Sequence, residues 1–380
     1  MNPKYTPLFQ PYTLNNGVVV KNRLVVAPMT HWASNADGSI SEGERRFLQN
    51  RFEGFGLFIA AATLVSPEGK AFGGQPEAIG AEDLPSLQEV AQIAHEQGAK
   101  AVLQLHHGGT KAMADLLEGA DKVAPSDDEA SGSRALTEPE IRALIEAFAR
   151  AAELALQAGF DGVEIHGANG YLIQQFVSAQ SNRRDDAWGG SLSNRLRFSL
   201  AIVDAVDAVR RKHNLPDFIL GYRFSPEEGG DNGLTMQDTF ALIDAMVQKP
   251  LQYLHVSLWD FYKKARRGAD TNLTRIEQIH RRIGGKLPLI GVGNLFSTEQ
   301  ILAAYQTGWA EFIALGKTVM INPDLVALIE SGREAEIVCE LDPDKADRYR
   351  IPERLWQQCQ MGLAYLPPVK GSKNWQPVDI

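Results

Sequence analysis

The sequence predicts an α/β fold: a (β/α)8 TIM barrel with an N-terminal β-hairpin cap and a C-terminal extension. Three observations predict it. Short β-rich runs alternate with longer amphipathic stretches through most of the 380 residues, as in successive strand-helix units of a parallel sheet. Eight such runs can be counted, the number that closes this barrel. Small and polar residues gather where the runs end, and that rim is where such barrels place their chemistry.

The elements follow in order. The short runs 12–14 and 18–20 flank Asn15-Asn16-Gly17, a hairpin signal placed to plug the N-terminal end of the barrel. The eight strands are expected at 24–27, 57–61, 101–105, 162–166, 218–224, 253–257, 289–291 and 312–315, mostly apolar as in strands buried on both faces. Helix starts are marked by Thr137 with Glu140 and by Ser297 with Gln300, both capping-box pairs, and by Asn322 before Pro323. Within 141–158, Ile141, Leu144, Ile145, Phe148, Ala152 and Ala155 share one face, and Gly159 ends that helix. A further helix is expected over 322–332. The expected division is one domain over 1–380: cap 1–23, barrel 24–335 and extension 336–380, the last containing Trp356 and Trp375.

With 44% hydrophobic residues the chain can bury a large core, and its net charge of −9 without a long Lys/Arg run argues against nucleic acid or an anionic membrane surface as partner. Cys339 and Cys359 stand in no ligand spacing, so neither a disulfide framework nor a metal site is indicated. No stretch has the apolar length to span a bilayer, and residues 1–12 lack the pattern of a secretory leader. A cytoplasmic enzyme acting on small molecules is expected, as a monomer or a homo-oligomer.

The richest segment is Val163-Glu164-Ile165-His166-Gly167-Ala168-Asn169-Gly170-Tyr171. An apolar strand runs into two hydrogen-bond donors and a phenol; the intervening small residues let His166 and Asn169 meet at one oxygen, with Tyr171 beside a neighbouring carbon. Preplaced donors stabilise developing negative charge, and a phenol is a serviceable proton source. The other strand ends carry Pro28-Met29-Thr30, Ala62-Thr63, Gln104 with His106 and His107, and Arg223 with Ser225. Gly291, Gly293 and Asn294 follow the seventh strand, and Gly316 and Lys317 the eighth, the usual place of a phosphate site in these barrels. Gln104 and Arg223 suit a planar heterocycle with amide-like edges such as a flavin, although Arg223 could instead be a structural ion pair with Glu164 or Glu227.

These residues resemble the old yellow enzyme family of FMN-dependent ene-reductases over roughly residues 8–325. The resemblance is carried by Lys21-Asn22-Arg23-Leu24, Ala27-Pro28-Met29-Thr30, Gln104-Leu105, the His166, Asn169 and Tyr171 set, and Trp188-Gly189-Gly190-Ser191 with Asn194-Arg195. It implies FMN at the barrel mouth, NADH or NADPH as reductant, and reduction of an activated alkene, an α,β-unsaturated carbonyl compound, in a ping-pong cycle. Carried over by position, Ala27, Pro28, Met29, Thr30, Ala62, Gln104, His166 and Arg223 meet the flavin, and Gly293, Asn294, Gly316 and Lys317 its phosphate. His166 and Asn169 bind the carbonyl oxygen, Tyr171 donates the proton, and Trp32 shapes the substrate pocket. The family commonly has Arg where this chain has Lys317, which keeps the charge and loses the fork. A branch with an iron-sulfur cluster needs a cysteine cluster after the barrel, which this chain lacks.

Three rivals accompany this reading. A flavin-free phosphate-binding barrel, an aldolase or isomerase, explains the glycines after the last two strands and leaves the donors elsewhere unexplained. A metal-dependent hydrolase using His31, His106, His107 or His166 lacks a carboxylate set. A flavin-binding protein without turnover shares every cofactor residue.

Overall fold

The structure is a computed structural model and describes residues 1–372 and 375. Eight parallel strands close into a barrel: β1 (Leu24–Val26), β2 (Leu57–Ile59), β3 (Lys100–His106), β4 (Gly162–Gly167), β5 (Ile219–Phe224), β6 (Tyr253–Val256), β7 (Leu289–Val292) and β8 (Phe312–Leu315). Each pairs with its sequence neighbour, and β8 returns to β1, with Ala314 opposite Val25. All eight expected strands are present. β1 and β2 stop before Ala27 and Ala60, so the residues that follow are free to turn toward the rim.

Side chains alternate across the wall. Leu24, Val26, Val163, Ile165 and Leu254 face outward into the core under the helices, while Val25, Leu57, Ile59, Val102, Ile219, Ile290, Phe312 and Ala314 fill the barrel interior. The interior is not apolar throughout: Gln104, Glu164, His255 and Tyr253, also buried, come from β3, β4 and β6. An average over each strand hides them.

The hairpin pairs Tyr12–Thr13 with Val19–Val20, and Gly17 takes the left-handed φ of +88° that its turn requires. Leu14 and Val20 enter the interior cluster, closing the barrel floor. Asn15 and Asn16 donate to the Leu251 and Pro216 carbonyls beneath it.

The helix Glu138–Gln157 begins at the Thr137 capping box and buries Ile141, Leu144, Phe148, Ala152 and Ala155. Gly159 follows it at φ +87°. Ser297 and Gln300 cap Thr298–Gln306 as expected. In Trp188-Gly189-Gly190-Ser191, Gly190 turns the chain at φ +75° and the Ser191 hydroxyl accepts from the Asn194 N–H to start Leu192–Lys212. Arg195 donates to the Val177 and Gly190 carbonyls, so this motif acts as a helix start.

One start signal fails. Asn322 starts no helix but ends Lys317–Ile321; it is buried, donates to the Thr318 and Val338 carbonyls and accepts from the Val338 N–H, tying the extension to the barrel. The helices around it are Lys317–Ile321 and Leu325–Glu330, the second shorter than expected. In the extension, Tyr349 packs on Trp356, and the buried Arg51 guanidinium donates to the carbonyls of Val319, Met320 and Tyr349. The expected extension over 336–380 includes 373–374 and 376–380, which lie outside the described residues. Among the described residues no helix is long and apolar enough to cross a membrane.

Candidate active site

The C-terminal ends of the strands surround one cavity of about 1180 Å³. Its lining contains every residue expected of the site: Ala27, Pro28, Met29, Thr30, Trp32, Ala62, Gln104, His166, Asn169, Tyr171, Arg223, Gly293, Asn294, Gly316 and Lys317. The strand ends bring them together from seven segments of the chain.

Local geometry explains how His166, Asn169 and Tyr171 converge. Gly167 still belongs to β4, and a Cβ there would stand 2.3 Å from the Tyr222 hydroxyl, so it serves close packing and not the turn. The reversal comes from Asn169 and Gly170, with left-handed φ values of +60° and +70°. Ser225 Oγ accepts from the Asn169 N–H at 2.8 Å, and Lys111 Nζ donates to the Asn169 carbonyl at 2.7 Å, pinning the turn from both sides. Tyr171 then precedes the helix Leu172–Val177.

The Asn169 side chain has a fixed sense. A guanidinium only donates, so Arg223 Nη2 gives a hydrogen bond to Ser257 Oγ at 3.1 Å, and the Ser257 hydroxyl is left to donate to Asn169 Oδ1 at 3.2 Å. Asn169 Nδ2 is therefore the end available to a ligand. His166 is buried, and that burial, followed by the charges of His106 and Arg223, holds its pKa well below the ordinary imidazole value. A neutral ring keeps one N–H donor. Burial likewise raises the Tyr171 phenol, with Tyr365 adding to the effect, so Tyr171 holds its proton at neutral pH.

The histidine pair has two separate settings. Gln75 Oε1 accepts from the Ala71 N–H, so Gln75 Nε2 donates to His106 Nδ1 at 2.9 Å and the ring carries its proton on Nε2. His106 packs edge-on against Tyr171, ring centroids 4.3 Å apart, and burial brings its pKa down to about 3. His107 accepts from the Gly109 N–H and lies 3.8 Å from Glu68, where it supports the loop. His31 pairs with Glu44 at 3.3 Å. Of the four histidines of the hydrolase alternative, His31, His106 and His107 thus have separate partners.

At the opposite end, Gly293 must be glycine, since a Cβ would meet the Phe261 nitrogen at 2.3 Å. Asn294 follows in a left-handed conformation. Lys317 Nζ donates to Asn294 Oδ1 at 2.8 Å and to the Ala364 carbonyl at 2.6 Å, and burial lowers its pKa to about 8. The extension thereby forms a wall of the cavity, with Gln358, Tyr365 and Leu366 in the lining.

The donor set fits a flavin mononucleotide. Arg223 has no carboxylate within bridging distance among the described residues, so the ion-pair alternative is not realised with Glu227, which pairs with Arg275 at 2.6 Å, nor with Glu164, which bonds to Gln104 and His255. Arg223 Nε and His166 Nδ1 are buried without a hydrogen-bond partner among the described residues. Each such group costs about 1–3 kcal/mol, which a polar ligand can relieve. Gly316 leaves room: a Cβ there would find only Ala27 and Met29, at 3.7 and 3.8 Å.

Several lining residues were not singled out from sequence. Ser257 ends a strand run and could have been found there. Lys111, Phe72 and Tyr365 lie in loops and the extension, where no periodicity points to them. Trp32, at φ +50°, faces Phe72 with ring centroids 6.2 Å apart. Arg267, on the loop after β6, donates to the Gly233 carbonyl at 2.7 Å.

Comparison with known proteins agrees with this fold. The model of the NADH:flavin oxidoreductase / NADH oxidase family matches residues 7–336. The "Probable NADH-dependent flavin oxidoreductase YqiG" of Bacillus subtilis (strain 168) is 47% identical over 370 residues, covering 97% of this chain and 99% of that protein. The NADH:fumarate oxidoreductase of Klebsiella pneumoniae (strain 342) is 36% identical over 92% of this chain, which spans only 38% of that longer protein. Among solved structures, the old yellow enzyme homologue from Zymomonas mobilis superimposes with a TM-score of 0.74 at 26% identity, covering 86% of this chain and 92% of that one.

Proposed function

Since the chain belongs to the NADH:flavin oxidoreductase / NADH oxidase family, among the old yellow enzymes, we propose that this FMN-dependent oxidoreductase uses electrons from a nicotinamide to reduce activated alkenes, α,β-unsaturated carbonyl compounds. The observation that carries the reading is the convergence of His166, Asn169 and Tyr171 on the cavity that Gln104, Arg223 and Lys317 also line. The family match sets aside a flavin-free aldolase or isomerase, and membership among oxidoreductases sets aside a binding protein without turnover. The fumarate activity named for the longer relative belongs to a protein of which this chain spans 38%. Cap, barrel and extension act as one domain working in the cytoplasm, in keeping with free cysteines at 339 and 359.

In this proposal Ala27, Pro28, Met29, Thr30, Ala62, Gln104, His166 and Arg223 hold the ring system, and Gly293, Asn294, Gly316 and Lys317 hold the phosphate. When bound, FMN supplies the two-electron hydride chemistry that no side chain can. His166 and Asn169 Nδ2 donate to the carbonyl oxygen, draw electron density from the alkene, and stabilise the enolate charge as it develops. Tyr171, kept protonated by burial, delivers its proton to the α-carbon, and Trp32 bounds the pocket. With NADH deuterated at the transferring position, the label should appear on the β-carbon of reduced cyclohexenone, and in heavy water solvent deuterium should appear on the α-carbon. Solvent label at both carbons would contradict this assignment.

Two further results are expected. Ser257→Ala removes the hydroxyl that orients Asn169, freeing its amide to flip, and should lower kcat/KM for cyclohexenone about tenfold while FMN stays bound; steady-state kinetics on the loaded protein measures it. Lys317 carries its charge below about pH 8 and loses it above, so FMN affinity should weaken as pH rises from 7 to 9.5. Lys317→Met should bind more weakly at pH 7 and show little of that dependence in fluorescence titrations.

A further inference from the structure

The barrel interior holds a buried polar group that the proposed chemistry leaves unused. Glu164 lies two residues before His166 on β4, fully buried, with Gln104 of β3 opposite it on one side and Gly221 of β5 on the other. Gly221 makes room, because a Cβ there would stand 2.1 Å from the Tyr253 ring that fills the same level. Glu164 Oε1 accepts from Gln104 Nε2 at 2.7 Å, and Oε2 accepts from His255 Nδ1 at 2.9 Å. Burial raises this carboxyl's pKa, but His255, the Arg223 charge and the Gln104 hydrogen bond outweigh it and keep Glu164 ionised.

An ionised carboxylate only accepts hydrogen bonds, so it settles which way the Gln104 amide points. The NH2 group faces Glu164, and the carbonyl Oε1 is left for the cavity that Gln104 lines. A glutamine without that partner could offer a ligand either end. Beside it, Arg223 presents a guanidinium to the same cavity.

We propose that Glu164 is a positioning residue for the flavin: it turns the Gln104 amide so that an acceptor, next to the Arg223 cation, meets the cofactor's imide edge. This rests on the FMN reading above. The imide edge of an isoalloxazine offers one N–H donor, at N3, between two carbonyl oxygens, and an acceptor beside a cation is the complement of that order. The carboxylate also sets the charge under the ring, so it acts on the flavin without touching it.

The test compares FMN with N3-methyl FMN, titrated by fluorescence quenching into deflavinated protein. The native protein should prefer FMN by at least about tenfold, because methylation removes the only donor Gln104 Oε1 can meet. Glu164→Gln leaves the Gln104 amide free to turn, so that preference should shrink to about threefold or less. The flavin midpoint potential of this variant should become more positive, since a buried negative charge near the ring is gone.

The exchanged pair, Gln104→Glu with Glu164→Gln, keeps volume, total charge and the hydrogen bond, and again presents a carboxyl oxygen to the cavity. It should recover the preference for FMN, and it serves if the single variant does not fold. Native protein that binds FMN and N3-methyl FMN equally overturns the proposal, as does a Glu164→Gln protein whose melting temperature falls while preference and potential stay native. Failure to bind FMN at all would strike the cofactor reading instead.

Discussion

Replacing His166 by alanine is expected to lower the rate of alkene reduction about 10²–10³-fold, the usual effect of removing one oxyanion donor. The size follows from what is left. His166 stands near the end of β4 as a buried neutral ring, and the turn after it presents Asn169 Nδ2 as the second donor. Without the imidazole, the enolate oxygen has one fixed donor and whatever water enters the gap, and water must reorganise as the charge develops. Binding of an unreactive ketone such as cyclohexanone should weaken in the same variant. The checks are kcat/KM for cyclohexenone and the cyclohexanone dissociation constant; changes under threefold in both would remove His166 from its proposed role.

The second large effect separates the half-reactions. Tyr171→Phe keeps the ring that packs 4.3 Å from His106 and lies under Lys111 Nζ, so the cavity wall should persist. Only the hydroxyl goes. Reduction of the bound flavin by NADH needs no proton from Tyr171 and should stay within about twofold, while reoxidation by cyclohexenone should slow by about 10²-fold or more. Stopped-flow absorbance resolves the two steps. Equal slowing of both would mean that Tyr171 shapes the site without donating the proton.

Much of this arrangement is legible in the sequence, and the reasons are local. Each barrel strand is a short apolar run between turn residues, and the cavity residues stand at the ends of those runs, so order along the chain nearly gives position in space. Tyr253 and His255 escape because they share one otherwise apolar run, and only the closed barrel shows that they meet Glu164, which the sequence offers as a partner for Arg223 alone. The small residues Gly167 and Ala168 suggest in sequence that they make the Asn169 turn; the contact of Gly167 with Tyr222, which requires a glycine inside β4, comes from strand pairing and not from sequence spacing. Lys111 and Tyr365 reach the cavity through loop and extension paths that carry no periodic signal. Asn322 has the form of a helix cap, but the extension's Val338 backbone takes its side chain instead.

The central claim is that one cavity accepts electrons from a nicotinamide and returns them to a polarised alkene. Anaerobic mixing of the FMN-loaded protein with one equivalent of NADH or NADPH, followed by cyclohexenone, tests it most directly. The account predicts that the yellow colour bleaches and then returns, with one equivalent of cyclohexanone formed. Bleached protein that regains its colour only when oxygen is admitted would contradict it.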